Sequence, residues 1–337
     1  MTDNKLNESL VGHRKLEQFC LNQWQQDRLP QTLLLAGLSG VGKATFAYRL
    51  ARFILSGGAG GGMFGPDDLH IDATHPVFQQ VAQGSHGDLL VIEPELSGQS
   101  KTPVTKVDAI RKITHFLHHT SATTSHRIVI VDGMEVLNPQ AANALLKAIE
   151  EPPSQALFLL ITTSPSAVLP TIRSRTQLLR FQPLNREDFN KVLAQMAEDM
   201  TPERLEFFYL LSEGSPGKAS YYEHHQADEG YAQLLNALQG RASFYDWLVK
   251  RDTEVQLVLL RNLLHFLLSR LGQYGAGALR EPFFYSENAA FPPLYARASM
   301  PQWLDRLSQA DGYISAAQGL HLERKQTIHQ VMQSMSA

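Results

Sequence analysis

The chain has 337 residues, of which 43% are hydrophobic and 19% charged, and its formal net charge is −3. That length accommodates two or three domains with separate cores, and the composition is that of an ordinary soluble globular protein. The near-neutral balance excludes a surface coated in basic side chains, so nucleic acid could be contacted only through a local patch or through assembly with other subunits.

The opening "MTDNKLNESLVGHRK" is polar and lacks the apolar core of a secretion signal. Cys20 is the single cysteine, which rules out an intramolecular disulfide and any multi-cysteine zinc site and suits a reducing cytosol. From there the first half alternates apolar runs with helical periodicity, the pattern of a parallel sheet covered on both faces. "TLLLAG" reads as a strand that runs into a glycine loop, and "ATFAYRLARFIL" as the helix after it. A glycine-rich insertion follows from Ser56 to Pro76, with the character of a mobile loop near 56–66. "DLLVIEP" is a second strand, and "KVDAIRKITHFLHH" an amphipathic helix with Val107, Ile110, Ile113 and Leu117 on one face. "RIVIVDG" and "LFLLITT" are central strands buried on both sides, and "QLLRF" a fifth. Between the third and fourth strands, Asn138 is a good N-cap and Pro139 suits the first helical position, while Pro152 and Pro153 stop the helix.

After "FQPLNRED" the pattern is helical throughout, with a small segment over 184–230 and a bundle over 231–337. "GQYGAGALREPFFYSENAAFPP" reads as irregular. The most apolar run, "VQLVLLRNLLHFLLSRL", is interrupted by Arg261, Asn262, His265 and Arg270 and falls short of the ~20 apolar residues of a membrane span, so it is expected to be a buried bundle helix.

"GLSGVGKAT", Gly37 to Thr45, carries the chemistry. Gly37, Gly40, Gly42 and Lys43 fit a phosphate-binding loop, in which backbone amides at a helix N-terminus surround phosphate oxygens and lysine adds charge. Its last position, where a hydroxyl ligates magnesium, is Ala44. Thr45 lies ~100° further round the helix, so it cannot complete the magnesium shell without rearrangement, although it could reach an inner phosphate. Asp132, at the end of "IVIVD" and 89 residues after Lys43, is the matching strand-end acid, which could equally cap the following turn. Gly133 stands directly after it, and Glu135 two residues further on.

"AANALLKAIEEPP" and "LPTIRSR", spanning Ala141 to Arg175, resemble the clamp-loader branch of AAA+ proteins, most closely its delta-prime family in bacterial DNA polymerase III. "SLVGHRKLEQFCLNQWQQDRLPQTLLLAGLSGVGKATFAYRLARF" is similar to the family's opening, the likeness thins through "LSEGSPGKAS", and it fades beyond Tyr231. The resemblance implies a RecA-like AAA+ domain with a modified phosphate loop over 1–183, a small helical lid over 184–230 and a C-terminal helical collar over 231–337. It implies that Arg175 is an arginine finger acting in trans, with Thr176 replacing the cysteine of the family's Ser-Arg-Cys motif. Guanidinium suits that role because it is always charged and offers a planar fork of donors. Thr162 or Thr163 matches a polar sensor of the γ-phosphate, and Gly217 or Lys218 falls where hydrolysing relatives carry a second sensing arginine. Those relatives also place glutamate, rather than Gly133, after the strand-end aspartate to orient water.

The expectation is therefore a scaffold with little hydrolysis of its own and no required cofactor, although its loop leaves room for ATP or ADP. Partners implied are the tau/gamma and delta clamp-loader subunits, with the sliding clamp and primer-template DNA reached through the assembled complex in the cytoplasm, and no membrane. Zinc is not expected, since His70, His75 and His86 have no ligand spacing. A tau/gamma-like ATPase is the alternative, opposed by Ala44, Gly133, the weakened second sensor and the absence of a long polymerase- and helicase-binding extension. A stand-alone phosphate-loop kinase or transferase would need an acceptor site, for which the sequence offers no residues.

Overall fold

The computed structural model describes residues 4–58, 66–96, 103–105, 107–118, 126–153, 155–196, 200–279, 283–320 and 324–336. The glycine-rich stretch expected near 56–66 lies largely outside them. The chain divides into two compact units, 1–188 and 189–337.

In the first unit, α1 (Arg14–Gln25) precedes β1 (Thr32–Ala36), α2 (Lys43–Leu55) and α3 (Pro76–Ala82). β2 (Leu89–Ile92) leads to a two-residue antiparallel ladder of β3 (Glu95–Leu96) and β4 (Pro103–Val104) that the sequence pattern did not announce. Then come α4 (Val107–His118), β5 (Arg127–Val131), α5 (Pro139–Glu150), β6 (Ala156–Thr162), α6 (Pro170–Arg173) and β7 (Gln177–Arg180). The five long strands form one parallel sheet in the order β2-β5-β6-β1-β7. This is the expected RecA-like AAA+ parallel sheet.

Strand alternation distributes each run between two cores. Leu33, Leu35, Ile128, Ile130, Leu157, Leu159 and Ile161 face a cluster built with α1, α2 and α3. Leu34, Val129, Val131, Phe158 and Leu160 face a second cluster with α4 and α5. Burial on both faces is why these strands read as unbroken apolar runs. The α5 cap forms as expected, with Asn138 Oδ1 accepting from the Ala141 amide at 2.8 Å. α2 is buried along nearly its whole length. Its two internal arginines are both partnered: Arg49 pairs with Glu17 at 2.8 Å, and Arg52 donates to the Lys5 carbonyl at 3.1 Å and lies over the Phe78 ring. Burial, with Arg49 nearby, lowers the Arg52 pKa to about 10. The Cys20 thiol is pushed up to about 12 by burial and Glu17, which leaves it protonated and inert.

The boundary between the units falls within α7 (Arg186–Met196). The second unit continues with α8 (Pro202–Leu211), α9 (Pro216–His224), α10 (Ala227–Leu238), α11 (Phe244–Leu248), α12 (Thr253–Gly275), α13 (Glu287–Arg297), α14 (Met300–Leu320) and α15 (Arg324–Ser336). No strand occurs among its described residues. Phe207 of α8 makes ring contacts with Tyr231, Phe266 and Phe284 at centroid distances of 5.5, 5.3 and 5.4 Å. The two helical segments read from the sequence, 184–230 and 231–337, therefore share an aromatic core, and the division suggested at Tyr231 falls inside α10.

The stretch read as irregular departs from that reading at both ends. α12 continues to Gly275, and α13 begins at Glu287 and runs through Pro292 and Pro293. Two prolines argue against a helix because each removes an amide donor. Here the burial of Ala290, Phe291 and Leu294 outweighs that loss. Three of the four polar residues that interrupt the apolar run on α12 meet other helices: Arg261 and His265 meet Asp311 at 2.9 and 2.8 Å, and Arg270 meets Glu287. Among the described residues no helix is long and apolar enough to cross a membrane.

Candidate functional site

β1 lies between β6 and β7, so the loop from Gly37 to Gly42 emerges at the carboxyl edge of the sheet, where open α/β sheets bind ligands. Gly42 has φ +105°, and a Cβ there would sit 2.8 Å from Leu10 Cδ1. Gly40 has φ +77°. Gly37 is required for a different reason, because its Cβ would meet the Phe181 carbonyl at 2.4 Å where the chain leaves β7. His13, the residue before α1, supports the loop: Nε2 bonds the Val41 carbonyl at 2.7 Å, and the ring packs on Phe181. Burial lowers the His13 pKa, and because a carbonyl only accepts, Nε2 is the donor in this bond. Lys43 is buried, and its ammonium donates to the Gly37 and Leu38 carbonyls at 2.7 and 2.6 Å.

Ala44 packs against the first core cluster. The Thr45 hydroxyl donates to Asn4 Oδ1 at 3.3 Å and accepts from Asn7 Nδ2 at 3.5 Å. It is thus tied to the amino-terminal segment, a connection across 38 to 41 residues that no local pattern announces. ADP titrated into the protein should bind with nearly the same affinity with and without magnesium, because Ala44 offers the metal no ligand. Calorimetry checks this, and a gain above about tenfold on adding magnesium would show that Thr45 or another group completes the shell.

Asp132 follows β5 and is half-buried beside the loop. Burial raises its pKa, opposed by the Gly133 amide, which donates to Oδ1 at 2.8 Å, and by the Lys43 charge, while Glu93 and Glu135 push upward. Gly133 has φ +69°, and a Cβ on it would meet Pro94 Cγ at 2.7 Å. A glutamate at this position would therefore carry left-handed strain of roughly 1–2 kcal/mol as well as a clash. The backbone at this position therefore favours glycine.

Glu135, in the 3₁₀ turn Met134–Val136, is the residue the sequence reading left without a role. Its carboxylate accepts from Thr162 Oγ1 at 2.9 Å, Thr163 Oγ1 at 2.8 Å and the Thr163 amide at 3.3 Å. Burial disfavours its charge, but the Thr163 and Thr162 hydrogen bonds outweigh that, and its pKa lies below the usual range. Both sensor candidates are thus bonded to one carboxylate 27 and 28 residues away in sequence.

Arg175 stands between α6 and β7 on the surface of the first unit. Nη2 pairs with Glu150 Oε1 at 3.0 Å, and Nη1 donates to the Thr171 carbonyl at 3.1 Å. The structure therefore brings Gly37, Gly40, Gly42, Lys43, Asp132 and Thr163 to the carboxyl edge of the sheet and holds Arg175 through α5 and α6. In the second unit, Lys218 is the third residue of α9 and pairs with Glu213 at 3.4 Å, while Gly217 precedes it in the same first turn.

Two of the scattered histidines, His75 and His86, serve turns. His75 Nδ1 accepts from the Val77 amide and caps α3, and His86 Nδ1 accepts from the Asp88 amide. Among the described residues no group of three or more His, Cys, Asp or Glu could hold a metal ion.

Sheet order, glycine loop and strand-end acid define the first unit as a RecA-like AAA+ module whose phosphate site is modified at two positions. The sequence profile of the family described as "DNA polymerase III, delta subunit" matches residues 12–185. The chain belongs to this family, as a delta-prime-like clamp-loader subunit. The DNA polymerase III subunit delta' of Pseudomonas aeruginosa is 31% identical over 207 residues, covering 61% of this chain and 60% of the relative. The Escherichia coli delta' subunit is 29% identical over 259 residues, 76% and 74% of the two chains. A DNA polymerase III subunit gamma from Buchnera aphidicola is 26% identical over 187 residues, 54% and 46%. The aligned part spans three fifths of the Pseudomonas subunit's length.

Proposed function

We propose that this chain is a non-hydrolysing scaffold in a bacterial DNA polymerase III clamp loader, where it donates Arg175 to the nucleotide site of a neighbouring ATPase subunit. It works in the cytoplasm beside tau/gamma- and delta-type subunits, and reaches the sliding clamp and primer-template DNA through the assembled complex. It needs no zinc or other cofactor; ATP or ADP could occupy its loop without being turned over. The observation that carries this reading is Gly133. Its left-handed backbone and the Pro94 contact disfavour a water-orienting glutamate, and Ala44 independently lacks the magnesium hydroxyl. Two losses in one site favour the scaffold over a tau/gamma-like motor, although gamma subunits are also among the relatives.

Purified alone, the protein should hydrolyse ATP far below the roughly 1 per second at the low end of ordinary enzymes. Steady-state phosphate release with magnesium, for wild type and Lys43→Ala, measures this. Magnesium-dependent turnover near that rate, abolished by Lys43→Ala, would make the chain a motor instead.

A further inference from the structure

At the carboxyl edge of the sheet, where a ligand of this fold would lie, three donors converge: the Thr162 hydroxyl, the Thr163 hydroxyl and the Thr163 amide. The chain supplies its own anion to them, the Glu135 carboxylate. We propose that Glu135 is a positioning residue for Arg175, a built-in anion that holds the end of β6 in one conformation whether or not nucleotide is bound. This inference rests on the finger reading above.

The connection is continuous. Thr162 is the last residue of β6 and pairs in register with Ala36, and its carbonyl accepts from the Gly37 amide at 3.3 Å. Its single hydroxyl proton is shared between Glu135 and the Ser164 carbonyl, each at 2.9 Å, and its oxygen accepts from the Ser164 amide at 3.2 Å. Ser164 begins the segment that passes through a 3₁₀ turn and α6 to Arg175. The α6 end of that segment is fixed by its own hydrogen bonds, with the Arg175 amide donating to the Ile172 carbonyl at 3.0 Å. The strand end therefore sets the start of the finger segment, and Glu135 is the group that satisfies the strand end. Without the carboxylate, Thr162 keeps only its bonds to Ser164, and Thr163 loses the acceptor of its hydroxyl and amide.

Hydrogen exchange on the full-length chain tests the clamp, and ATPase of the reconstituted complex tests its consequence. In Glu135→Ala, amides of Ser164 to Thr176 should exchange about tenfold faster or more, with those of β1 and β5 unchanged. Glu135→Gln, which keeps the shape and one acceptor oxygen, should fall between that variant and wild type. In the complex, Glu135→Ala should lower the neighbouring subunit's rate, and the double variant with Arg175→Ala should be no slower than Arg175→Ala alone. Unchanged exchange in 164–176, or acceleration spread evenly over the unit, would overturn the clamp. Additive losses in the double variant would overturn its coupling to Arg175. Arg175→Ala complexes running at wild-type rate would instead overturn the finger reading, and the exchange data would still judge the clamp by themselves.

Discussion

Arg175→Ala, placed in an otherwise wild-type clamp-loader complex, is expected to lower the rate at the one site it serves by ~10³–10⁵, the contribution of arginine fingers to phosphoryl transfer. That range corresponds to about 4–7 kcal/mol of transition-state stabilisation. Among the described residues the guanidinium meets a half-exposed Glu150, the Thr171 carbonyl and, at 3.4 Å, the Ser174 hydroxyl. An exposed pair of that kind is worth about 1 kcal/mol at most. On the proposed reading, a pair this weak would not compete with a phosphoryl group at a closed interface. For the same reason Arg175→Ala should leave folding and assembly nearly intact. On the proposed reading the total ATPase of the ring should fall only partly, since its other sites would take their arginines from other subunits. Arg175→Lys should also be impaired, since ammonium keeps the charge and loses the planar fork. The measurement is DNA- and clamp-stimulated ATPase and clamp loading by complexes that differ only at this residue. Assembly at wild-type level with unimpaired rates would show that Arg175 is a surface residue and nothing more.

The largest stability effect is expected in the second unit, at a residue with no part in the nucleotide site. Glu287 is fully buried at the start of α13. It accepts from Arg270 Nε at 2.9 Å, from Arg270 Nη2, from the Tyr231 hydroxyl at 2.7 Å and from the Phe284 amide at 3.0 Å. One carboxylate thereby joins α10, α12 and α13, and the Arg270 guanidinium also lies over the Phe284 ring at 4.6 Å. Burial and Glu287 together hold the Tyr231 hydroxyl protonated, so it serves as a donor. Glu287→Ala leaves the buried guanidinium without its carboxylate and the Tyr231 hydroxyl without this acceptor, at a cost of about 3–5 kcal/mol. Tyr231→Phe removes one hydrogen bond to a charged group and should cost about 1.5–3 kcal/mol. Both follow from denaturant unfolding of the full chain, monitored separately for the two units because a chain of this size need not unfold in one step. A Glu287→Ala loss below about 1 kcal/mol would mean that the cluster relaxes or admits water, contrary to its sealed geometry. Loss spread equally over both units would contradict the confinement of the cluster to the second.

Much of the first unit is determined by local pattern. β1, β5 and β6 are apolar on both faces, which only a doubly covered parallel sheet satisfies. Asn138, Pro139, Pro152 and Pro153 bound α5 through backbone chemistry that acts within a few residues. The phosphate loop is legible for the same reason, and so are its defects at Ala44 and Gly133. What the sequence could not determine is every contact whose partner lies far along the chain. Glu135 is two residues from a recognisable acid, but its role depends on β5 and β6 being neighbours that place Thr162 and Thr163 within its reach. His13 beneath Val41, and Asn4 and Asn7 on Thr45, depend on α1 and the amino-terminal segment packing against α2. In the second unit, two prolines argued against a helix that burial of Phe291 and Leu294 sustains. Arg270, seen in sequence as an interruption of an apolar run, became half of a buried pair once α13 was folded against α12. Periodicity records which face of an element is apolar. It does not record which polar group of a distant element will meet the exceptions, and that only the tertiary structure decides.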